Sequence, residues 1–331
     1  MYINKKLFDI QITKEAVEIA EKFGISPFMA QRYIMFMGDK EAIEYLISAE
    51  KGIEKSFRCN SILVKDCNVV ERSLTEKGFI LEKTPYLNYA YYIKREPFSI
   101  GSTVEHLSGK IYVQGVGSML ASEVLSPVED DKVVDMAAAP GGKTTHMAQL
   151  MKNKGIILSI DINRERIWKL RVNIERLNAK NVYVLRTDAL KINGLDEYFD
   201  KVMLDAPCTG EGLIVYKKER KFSKGIEDYK KMIPLQISML KKAFKLLKRG
   251  GKILYSTCSI APEENEYVIS QVLNELKDIE ILPTRYNGVK GNEGLPEYND
   301  IFFGDELKNC LRLYPNTDKT EGFFLCLMRK K

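Results

Sequence analysis

The chain has 331 residues, of which 45% are hydrophobic and 29% charged, and its formal net charge is +6. This length is enough for two domains with separate cores, and the composition is that of an ordinary globular protein. No apolar run approaches the ~18–20 residues of a membrane span, and the first residues lack the apolar core of a signal peptide, so we expect a cytoplasmic protein.

The cysteines and histidines argue against a structural metal site. Six cysteines are present without a Cys-x-x-Cys pair, and the chain has two histidines. We therefore expect no bound metal, and reduced thiols are the default state in a cytoplasmic protein. Four cysteines have no distinctive context and are predicted to be structural: Cys59, Cys67, Cys310 and Cys326.

The first part of the chain predicts a small α+β domain, which we place at residues 1–104. Gly24, Gly38 and Gly52 are the predicted stops of its first three helices. Helical spacing covers Lys14–Phe23, Pro27–Met37, Lys40–Ala49 and Val69–Lys77, and strand-like runs cover Phe57–Val64, Phe79–Lys83 and Tyr89–Lys94.

Residues 105–331 predict a second domain in which strands and helices alternate. The predicted strands are Lys132–Ala138, Gly155–Asp161, Val182–Asp188, Lys201–Ala206, Lys252–Thr257 and Gly322–Met328. The predicted helices are Thr144–Met151, Arg164–Leu177, Tyr229–Leu247 and Glu263–Leu276, with Gly250-Gly251 ending the third. Such alternation indicates an α/β fold with a doubly wound, Rossmann-like sheet and helices on both of its faces.

A glycine turn between the first strand and the first helix of this domain is the predicted cofactor site. It reads Ala138-Ala139-Pro140-Gly141-Gly142-Lys143. Adjacent glycines allow a ligand to approach the backbone closely, and the N–H groups at a helix start favour negative charge. Asp161 ends the next strand, about twenty residues on, where a carboxylate can accept from both hydroxyls of a ribose. Asp188 ends the third strand, where it can accept from an adenine amino group or its ribose.

Three cofactor interpretations of this turn compete, and S-adenosylmethionine fits best. A dinucleotide-binding fold needs Gly-x-Gly-x-x-Gly, which the turn lacks, and a P-loop needs a glycine where this chain has Ala137. S-adenosylmethionine carries a ribose and an adenine but no phosphate, in keeping with the two acids. Arg166, on the helix after Asp161, and Asp205 complete the candidate cofactor-binding set.

Two cysteines follow two different predicted strands. Cys208 ends the tetrapeptide Asp205-Ala-Pro-Cys, and Cys258 lies in the tetrapeptide Ser-Thr-Cys-Ser. In a sheet of the methyltransferase type these fourth and fifth strands are neighbours, so their carboxyl ends place the two thiols side by side. Methylation of C5 of cytosine needs such groups, because a thiolate must add to C6 and a second group must assist release of the product. The alternative is that both cysteines are small buried residues.

The motifs resemble those of the Sun/Fmu-type RNA cytosine-5 methyltransferases. Size and layout resemble the archaeal members that modify tRNA. The resemblance covers roughly residues 105–330 and rests on the motifs Gln114–Ser118, Asp135–Thr144, Asp205–Gly210, Tyr255–Ser259 and Glu321–Phe324.

The resemblance implies roles for individual residues. Cys258 is expected to be the nucleophile and Cys208 to assist release. Asp205 is expected to contact the N3/N4 edge of cytosine, and Lys143 to position the base or the cofactor. The resemblance further implies RNA as substrate, with tRNA ahead of rRNA, an RNA-binding role for residues 1–104, and no obligate protein partner. Asn316 stands where many relatives have His, so no role is transferred to it.

Three other functions fit parts of the pattern. An exocyclic-amine methyltransferase usually has the motif Asn/Asp-Pro-Pro-aromatic after its fourth strand. This chain has Cys208 at the aromatic position of that motif. An RNA-binding scaffold with a decayed site would bind RNA without transferring a methyl group. An NTPase would release phosphate, which provides a simple assay.

Positive charge is concentrated in Lys217–Lys252, which has thirteen Lys and Arg against three acidic residues. Such an excess suits a polyanionic partner. We predict that the cluster Lys217–Lys221 contacts RNA phosphates. For the lysines of Lys241–Lys248, a solvated helix face and contact with a polyanion are equally good interpretations.

Overall fold

The computed structural model describes residues 3–216 and 225–331. The helices in chain order are α1 (Lys14–Phe23), α2 (Pro27–Met37), α3 (Asp39–Lys51), α4 (Cys67–Glu76), α5 (Val104–Leu107), α6 (Val116–Leu125), α7 (Gly142–Leu150), α8 (Arg164–Arg176), α9 (Ile226–Leu246), α10 (Glu266–Glu275) and α11 (Pro315–Asp318).

The strands of the described residues belong to three sheets. In chain order they are β1 (Ser56–Cys59), β2 (Ile80–Lys83), β3 (Ala90–Arg95), β4 (Ile111–Val113), β5 (Lys132–Asp135), β6 (Ile156–Asp161), β7 (Val182–Arg186), β8 (Phe199–Asp205), β9 (Leu247–Thr257), β10 (Ile279–Ile281), β11 (Asn292–Glu293), β12 (Glu297–Tyr298), β13 (Ile301–Phe302), β14 (Leu311–Leu313) and β15 (Phe323–Lys330).

The N-terminal part combines the helices α1 to α4 with a four-stranded antiparallel sheet of order β2-β3-β1-β4. The Thr13 hydroxyl caps α1 by accepting from the Ala16 N–H at 3.3 Å, and the helix ends at Gly24, whose φ is 61°. The predicted stops at Gly38 and Gly52 are confirmed, with φ values of 87° and 73°. These left-handed values favour glycine, because it has no Cβ to clash with the backbone.

The predicted strand Phe57–Val64 is wrong in its second half. β1 ends at Cys59 because Asn60 begins a turn, in which its carbonyl accepts from the Val64 N–H at 2.9 Å. The Asn60 side chain also donates to the Gly109 carbonyl at 3.0 Å. β4 pairs with β1, so the N-terminal sheet continues beyond the proposed boundary after residue 104. The division of the chain at that boundary stays a prediction.

A nine-stranded sheet forms the centre of the C-terminal part. Its order is β11-β14-β15-β9-β8-β5-β6-β7, and β10 pairs with β15. β5 to β9 are parallel to one another, whereas β15 is antiparallel to β9. The predicted α/β, Rossmann-like sheet is therefore confirmed. Val134, Val202 and Ile253 of its central strands are each 0% exposed, as expected for strands covered by helices on both faces.

Several boundaries in this part differ from the prediction, and α6 is not predicted by the sequence pattern. α9 ends at Leu246, so Gly250-Gly251 lies within β9, where the pairing with β8 shifts its register. α10 begins at Glu266 rather than Glu263, because Asn265 has φ −111° and ψ −95°, outside the helical region.

Four cysteines form two disulfides, contrary to the expectation of reduced thiols. Cys59 is bonded to Cys67 with Cα atoms 6.0 Å apart, and Cys310 to Cys326 with Cα atoms 4.5 Å apart. The first joins the end of β1 to the start of α4, and the second joins the residue before β14 to β15. The expectation failed because disulfide formation depends on how the fold brings cysteines together, which their spacing in the chain does not show.

Within residues 3–216 and 225–331, no helix is long and apolar enough to cross a membrane. Over the same ranges, no group of three or more His, Cys, Asp or Glu side chains forms a candidate metal site.

Candidate active site

The two free cysteines follow neighbouring parallel strands at their carboxyl ends. β8 pairs with β9 so that Asp205 lies opposite Ser256, and Cys208 and Cys258 follow shortly after these positions. Their Sγ atoms are 3.3 Å apart, and both residues are partly exposed. The structure therefore brings the two predicted thiols together, close enough for one to donate its proton to the other.

An ion pair joins the glycine turn to the end of β8. Lys143 Nζ donates to Asp205 Oδ2 at 2.8 Å and to Ser118 Oγ at 3.0 Å. Ser256 Oγ donates to the other carboxylate oxygen of Asp205 at 2.9 Å. The side chain of Lys143 is 10% exposed and that of Asp205 is 32% exposed. Groups from α6, α7 and β9 thus hold the Asp205 carboxylate in one orientation.

The surrounding charges keep Lys143 protonated and Cys208 neutral near pH 7. Burial disfavours the charge of Lys143, but the Asp205 carboxylate outweighs burial and raises the pKa of Lys143 above 10.5. The hydrogen bond with Cys258, then burial, then the negative charges of Cys258, Glu264 and Asp205 raise the pKa of the Cys208 thiol. The Cys208 thiol therefore keeps its proton at neutral pH.

A cavity of about 200 Å³ lies beside the glycine turn. Gly141 has φ 103°, and α7 begins at Gly142, as a tight turn into a helix requires. A Cβ on Gly142 would lie 3.2 Å from Tyr112 Cε1, so a side chain there would press against a ring that lines the cavity. The residues that line this cavity include Gln114, Ser118, Asp135, Ala138, Ala139, Pro140, Lys143 and Asp205.

Asp135 offers an unpaired acceptor in this cavity. Thr144 Oγ1 donates to Asp135 Oδ2 at 2.6 Å, whereas Oδ1 is buried and has no hydrogen-bond partner among the residues that the structure describes. Burial raises the pKa of Asp135 to about 6, with the Thr144 hydrogen bond opposing this effect and the charge of Asp205 adding to it. The hydrogen bonds from Thr144 and from the Ala137 N–H leave this buried carboxylate short of donors, so a ligand with an N–H group fits beside it.

The predicted acids after β6 and β7 are not among the residues that line this cavity. Asp161 Oδ2 accepts from the Ala139 N–H at 3.2 Å, and Arg166 lies 3.5 Å from the same oxygen. Arg166 also donates to the Ala139 carbonyl. Asp188 caps the short 3₁₀ turn that begins at Ala189. These contacts fix the turn and the adjacent loops, and contact of the three charged residues with a ribose or adenine stays a prediction.

Comparison with known proteins decides the family. Residues 122–329 match the family model described as 16S rRNA methyltransferase RsmB/F, and residues 27–116 match that of the N-terminal domain of 16S rRNA methyltransferase RsmF. The chain belongs to the RsmB/F methyltransferase family. The predicted membership of the Sun/Fmu-type methyltransferases is thereby confirmed.

This RsmB/F-family chain is similar to proteins named as tRNA methyltransferases and to proteins named as rRNA methyltransferases. A tRNA (cytosine(72)-C(5))-methyltransferase of Pyrococcus horikoshii is 40% identical over 225 residues, which are 67% of this chain and 53% of that protein. The 28S rRNA (cytosine(4447)-C(5))-methyltransferase of Homo sapiens is 32% identical over 320 residues, 95% of this chain and 39% of that protein. The crystal structure of a methyltransferase homolog from Pyrococcus horikoshii matches with TM-score 0.85 and 38% identity over 96% of this chain and 100% of that one. The chain spans about half the length of the curated relatives it matches.

Two motifs of this RsmB/F-family chain meet at the start of α6. Glu321 Oε1 accepts from the Ser118 N–H at 3.2 Å. A Cβ on Gly115 would lie 2.4 Å from that same oxygen, so only glycine fits there without displacing the carboxylate. Glu321 thereby fixes the start of the helix and with it Ser118, which holds Lys143. The two motifs are 203 residues apart, and sequence reasoning assigned no role to either of them.

The structure favours a solvated face for the lysines near the end of α9. Lys241, Lys245 and Lys248 each form an ion pair with an acid of this chain, and Lys242 donates to a backbone carbonyl. The cluster Lys217–Lys221 lies outside the described residues, so its contact with RNA stays a prediction.

Proposed function

We propose that this protein transfers a methyl group from S-adenosylmethionine to C5 of cytosine in RNA. The observation that carries the proposal is the pair of thiols, 3.3 Å apart, after β8 and β9. Asp205, on the same strand end as Cys208, lines the cavity beside the glycine turn. Membership of the RsmB/F family and the activities for which the relatives are named support the same reaction.

The residues around the cavity fit S-adenosylmethionine, which supplies an electrophilic methyl group when bound. We assign its amino-acid part to Asp135, whose buried Oδ1 lacks a donor among the described residues. The ammonium group of an amino acid is a donor of the required kind. We assign its adenosine part to Asp161, Arg166 and Asp188, because acids at these strand ends suit ribose hydroxyls and an adenine amino group.

Cys258 is proposed to activate the cytosine. C5 of cytosine is a poor nucleophile, but addition of the Cys258 thiolate to C6 turns C5 into an enamine-like carbon that can take the methyl group. Negative charge develops toward N3 during this addition. Protonated Lys143 offsets that charge, while Asp205 accepts from the exocyclic amino group at N4. The contact between Lys143 and Asp205 supports this assignment, because it keeps the two side chains together beside the cavity.

Cys208 is proposed to complete the reaction. While Cys258 is a free thiolate, its hydrogen bond and charge raise the pKa of Cys208 and keep the proton there. Once the Cys258 sulfur is bonded to C6, its charge and its hydrogen bond are gone, so the pKa of Cys208 falls, while burial, Glu264 and Asp205 still raise it. We propose that the Cys208 proton leaves to solvent at this stage. The Cys208 thiolate then takes the C5 proton, the C6–S bond breaks, and Cys258 leaves as a thiolate.

The proposed substrate is tRNA, bound through residues 1–104 and methylated by residues 105–331. Identity supports this choice, at 40% to the tRNA enzyme against 32% to the human rRNA enzyme. rRNA is the second candidate, because the rRNA enzyme aligns over 95% of this chain and the tRNA enzyme over only 67%. A cytoplasmic location and the lack of an obligate protein partner stay predictions.

Two measurements test the proposal. The purified protein should transfer label from methyl-labelled S-adenosylmethionine to tRNA, and nucleoside mass spectrometry should find it as 5-methylcytidine. Bisulfite sequencing of RNA from a strain lacking the gene, beside its parent, should show loss of protected cytosines in tRNA. Protection lost only in rRNA would change the substrate. Label on an exocyclic amine, or RNA binding without any transfer, would refute the C5 reaction.

A further inference from the structure

Arg32 connects the N-terminal helices to both thiol-bearing segments. It lies on α2, and its side chain is 0% exposed. Its Nε and Nη2 atoms donate to the two carboxylate oxygens of Glu263 at 2.8 and 2.7 Å. Its Nη1 atom donates to Glu211 Oε1 at 2.9 Å and to the Tyr229 hydroxyl at 3.3 Å. One guanidinium therefore binds two carboxylates at once.

Glu211 and Glu263 belong to the segments that carry the thiols. Glu211 is three residues beyond Cys208, and Glu263 is five residues beyond Cys258. The two side chains are 1% and 0% exposed, so their charges have no access to water. Each carboxylate needs a buried donor, and Arg32 supplies donors to both.

The two segments also contact each other directly. The Gly212 N–H donates to the Cys258 carbonyl at 3.0 Å. The Thr209 N–H and hydroxyl donate to the two oxygens of Glu264 at 2.9 and 2.6 Å. The thiols therefore sit on one cross-linked block, and Arg32 is an ionic contact between this block and the N-terminal helices.

The block needs such contacts because it contains little regular structure. In the described part after β8, the chain forms a short 3₁₀ turn at Glu211–Val215, and α10 does not begin until Glu266. Side-chain contacts must hold segments of this kind, and small displacements of reacting groups lower rates strongly. The planar five-donor fork of arginine can hold two carboxylates in fixed orientations, which the point charge of lysine cannot do.

We infer that Arg32 is a positioning residue for the thiol pair, so that an N-terminal helix takes part in building the catalytic site. The inference rests on the proposed function, because addition to C6 and release of the product are the steps that need both thiols at one base. It gives the N-terminal part a role beyond the binding of RNA.

Three variants of Arg32 separate positioning from folding. Arg32→Lys keeps the positive charge but loses the fork. Arg32→Met leaves two buried carboxylates unpaired and is expected to fold poorly. Combining Arg32→Met with Glu211→Gln and Glu263→Gln removes all three charges, which should restore folding without the fixed contact. Leu46→Ala is the control for a general loss of stability, because Leu46 is 0% exposed in the core of the same helices.

Each variant is measured below its own melting temperature for single-turnover methyl transfer at saturating RNA and S-adenosylmethionine, and for cofactor affinity by calorimetry. We expect Arg32→Lys and the triple variant to lose about 10- to 100-fold in rate while they bind the cofactor as the parent does. Leu46→Ala should keep the parental rate. In a Cys208→Ala background, Arg32→Lys should slow formation of the covalent RNA complex by the same factor.

The outcomes distinguish the inference from the function on which it rests. Parental rates in folded Arg32→Lys and triple variants would refute the inference and leave the proposed function standing. A parallel loss of cofactor affinity, or an equal loss of rate in Leu46→Ala, would show a general structural role and would refute it too. An unsubstituted protein that methylates no RNA at C5 would refute the proposed function, and the inference with it.

Discussion

The folded protein disfavours the negative charge of the buried Asp135 carboxylate, so the substitution Asp135→Asn should stabilise the protein. The residue is 1% exposed, and one of its oxygens lacks a donor among the described residues. Burial and the nearby charge of Asp205 raise its pKa from 3.8 to about 6, a difference that corresponds to about 3 kcal/mol at neutral pH. Asp135→Asn keeps an acceptor for the Thr144 hydroxyl, so the free energy of unfolding at pH 7.5 should rise by up to about 3 kcal/mol.

The gain should depend on pH in a defined direction. A raised pKa means that the folded protein binds this proton more tightly than the unfolded chain does. The stabilisation from the Asp135 proton is therefore complete below pH 3.8 and is lost as the pH rises through about 6. Asparagine does not titrate, so the difference between variant and parent should be largest above pH 7 and shrink as the pH falls toward 4. Denaturant unfolding across this range measures it.

The same substitution should weaken cofactor binding. The ammonium group of S-adenosylmethionine would lose a charged acceptor, which is worth about 1.5–3 kcal/mol, or about 10- to 100-fold in Kd. Calorimetry on the same protein preparations measures this loss. A variant that is less stable than the parent at pH 7.5, or a difference that does not change with pH, would refute the reasoning about the buried charge. Unchanged affinity would remove Asp135 from the cofactor site.

Three further predictions concern residues that the sequence already singles out. Cys258→Ala should be inactive and form no covalent complex, whereas Cys208→Ala should accumulate a covalent RNA complex, seen as a retarded band in a denaturing gel; trapping by the Cys258→Ala protein would reverse the two roles. Asp161→Ala should lose ~1–3 kcal/mol of cofactor affinity, because ribose hydroxyls would be left unpaired, and unchanged calorimetry on the folded variant would contradict that placement. Neutralising the four cations of Lys217–Lys221 should lower the salt slope of RNA binding by roughly 0.7–0.9 for each phosphate that the variant no longer neutralises, and an intact affinity and slope would show that the cluster does not touch RNA.

The sheet and the meeting of the two thiols could be predicted because their signals are local. Each parallel strand is a short apolar run followed by a polar residue or a turn, and neighbouring parallel strands end at one edge of the sheet. The position of Cys208 and Cys258 at one edge of the sheet can therefore be predicted from their tetrapeptides and the strands that precede them. Asp135, Ser118 and Ser256 lie within or beside the same motifs, yet sequence reasoning passed over them. Their roles depend on hydrogen bonds to other strands and helices, which no local pattern displays.

Contacts between distant segments could not be predicted. The partners of Arg32 are 179 and 231 residues away, and Glu321 is 203 residues from Ser118. The same reason explains the error about the disulfides, since the fold decides which cysteines meet. Asn60 ended β1 early because its side chain found the Gly109 carbonyl, again a tertiary contact that overrides the strand-like composition of Phe57–Val64.

A second buried arginine shows that the N-terminal part reaches the site from another side. Arg58, on β1, is 0% exposed and donates to Gln114 Oε1 at 3.0 Å and to Thr145 Oγ1 at 2.7 Å. Gln114 in turn donates to Ser118 Oγ at 3.1 Å, the hydroxyl that accepts from Lys143. Burial lowers the pKa of Arg58 to about 10, so it stays protonated at neutral pH.

Arg58 and Arg32 thus support the two halves of the proposed chemistry separately. The hydrogen-bond chain from Arg58 ends at Lys143, the cation proposed to offset charge on the base. The contacts of Arg32 are with the segments that carry the thiols. A fragment that begins at residue 105 would lack both arginines. It would leave the carboxylates of Glu211 and Glu263 without their guanidinium and without the N-terminal helix that carries it. Buried hydrogen bonds therefore join the two parts of the chain at the candidate site, even though their sheets are separate.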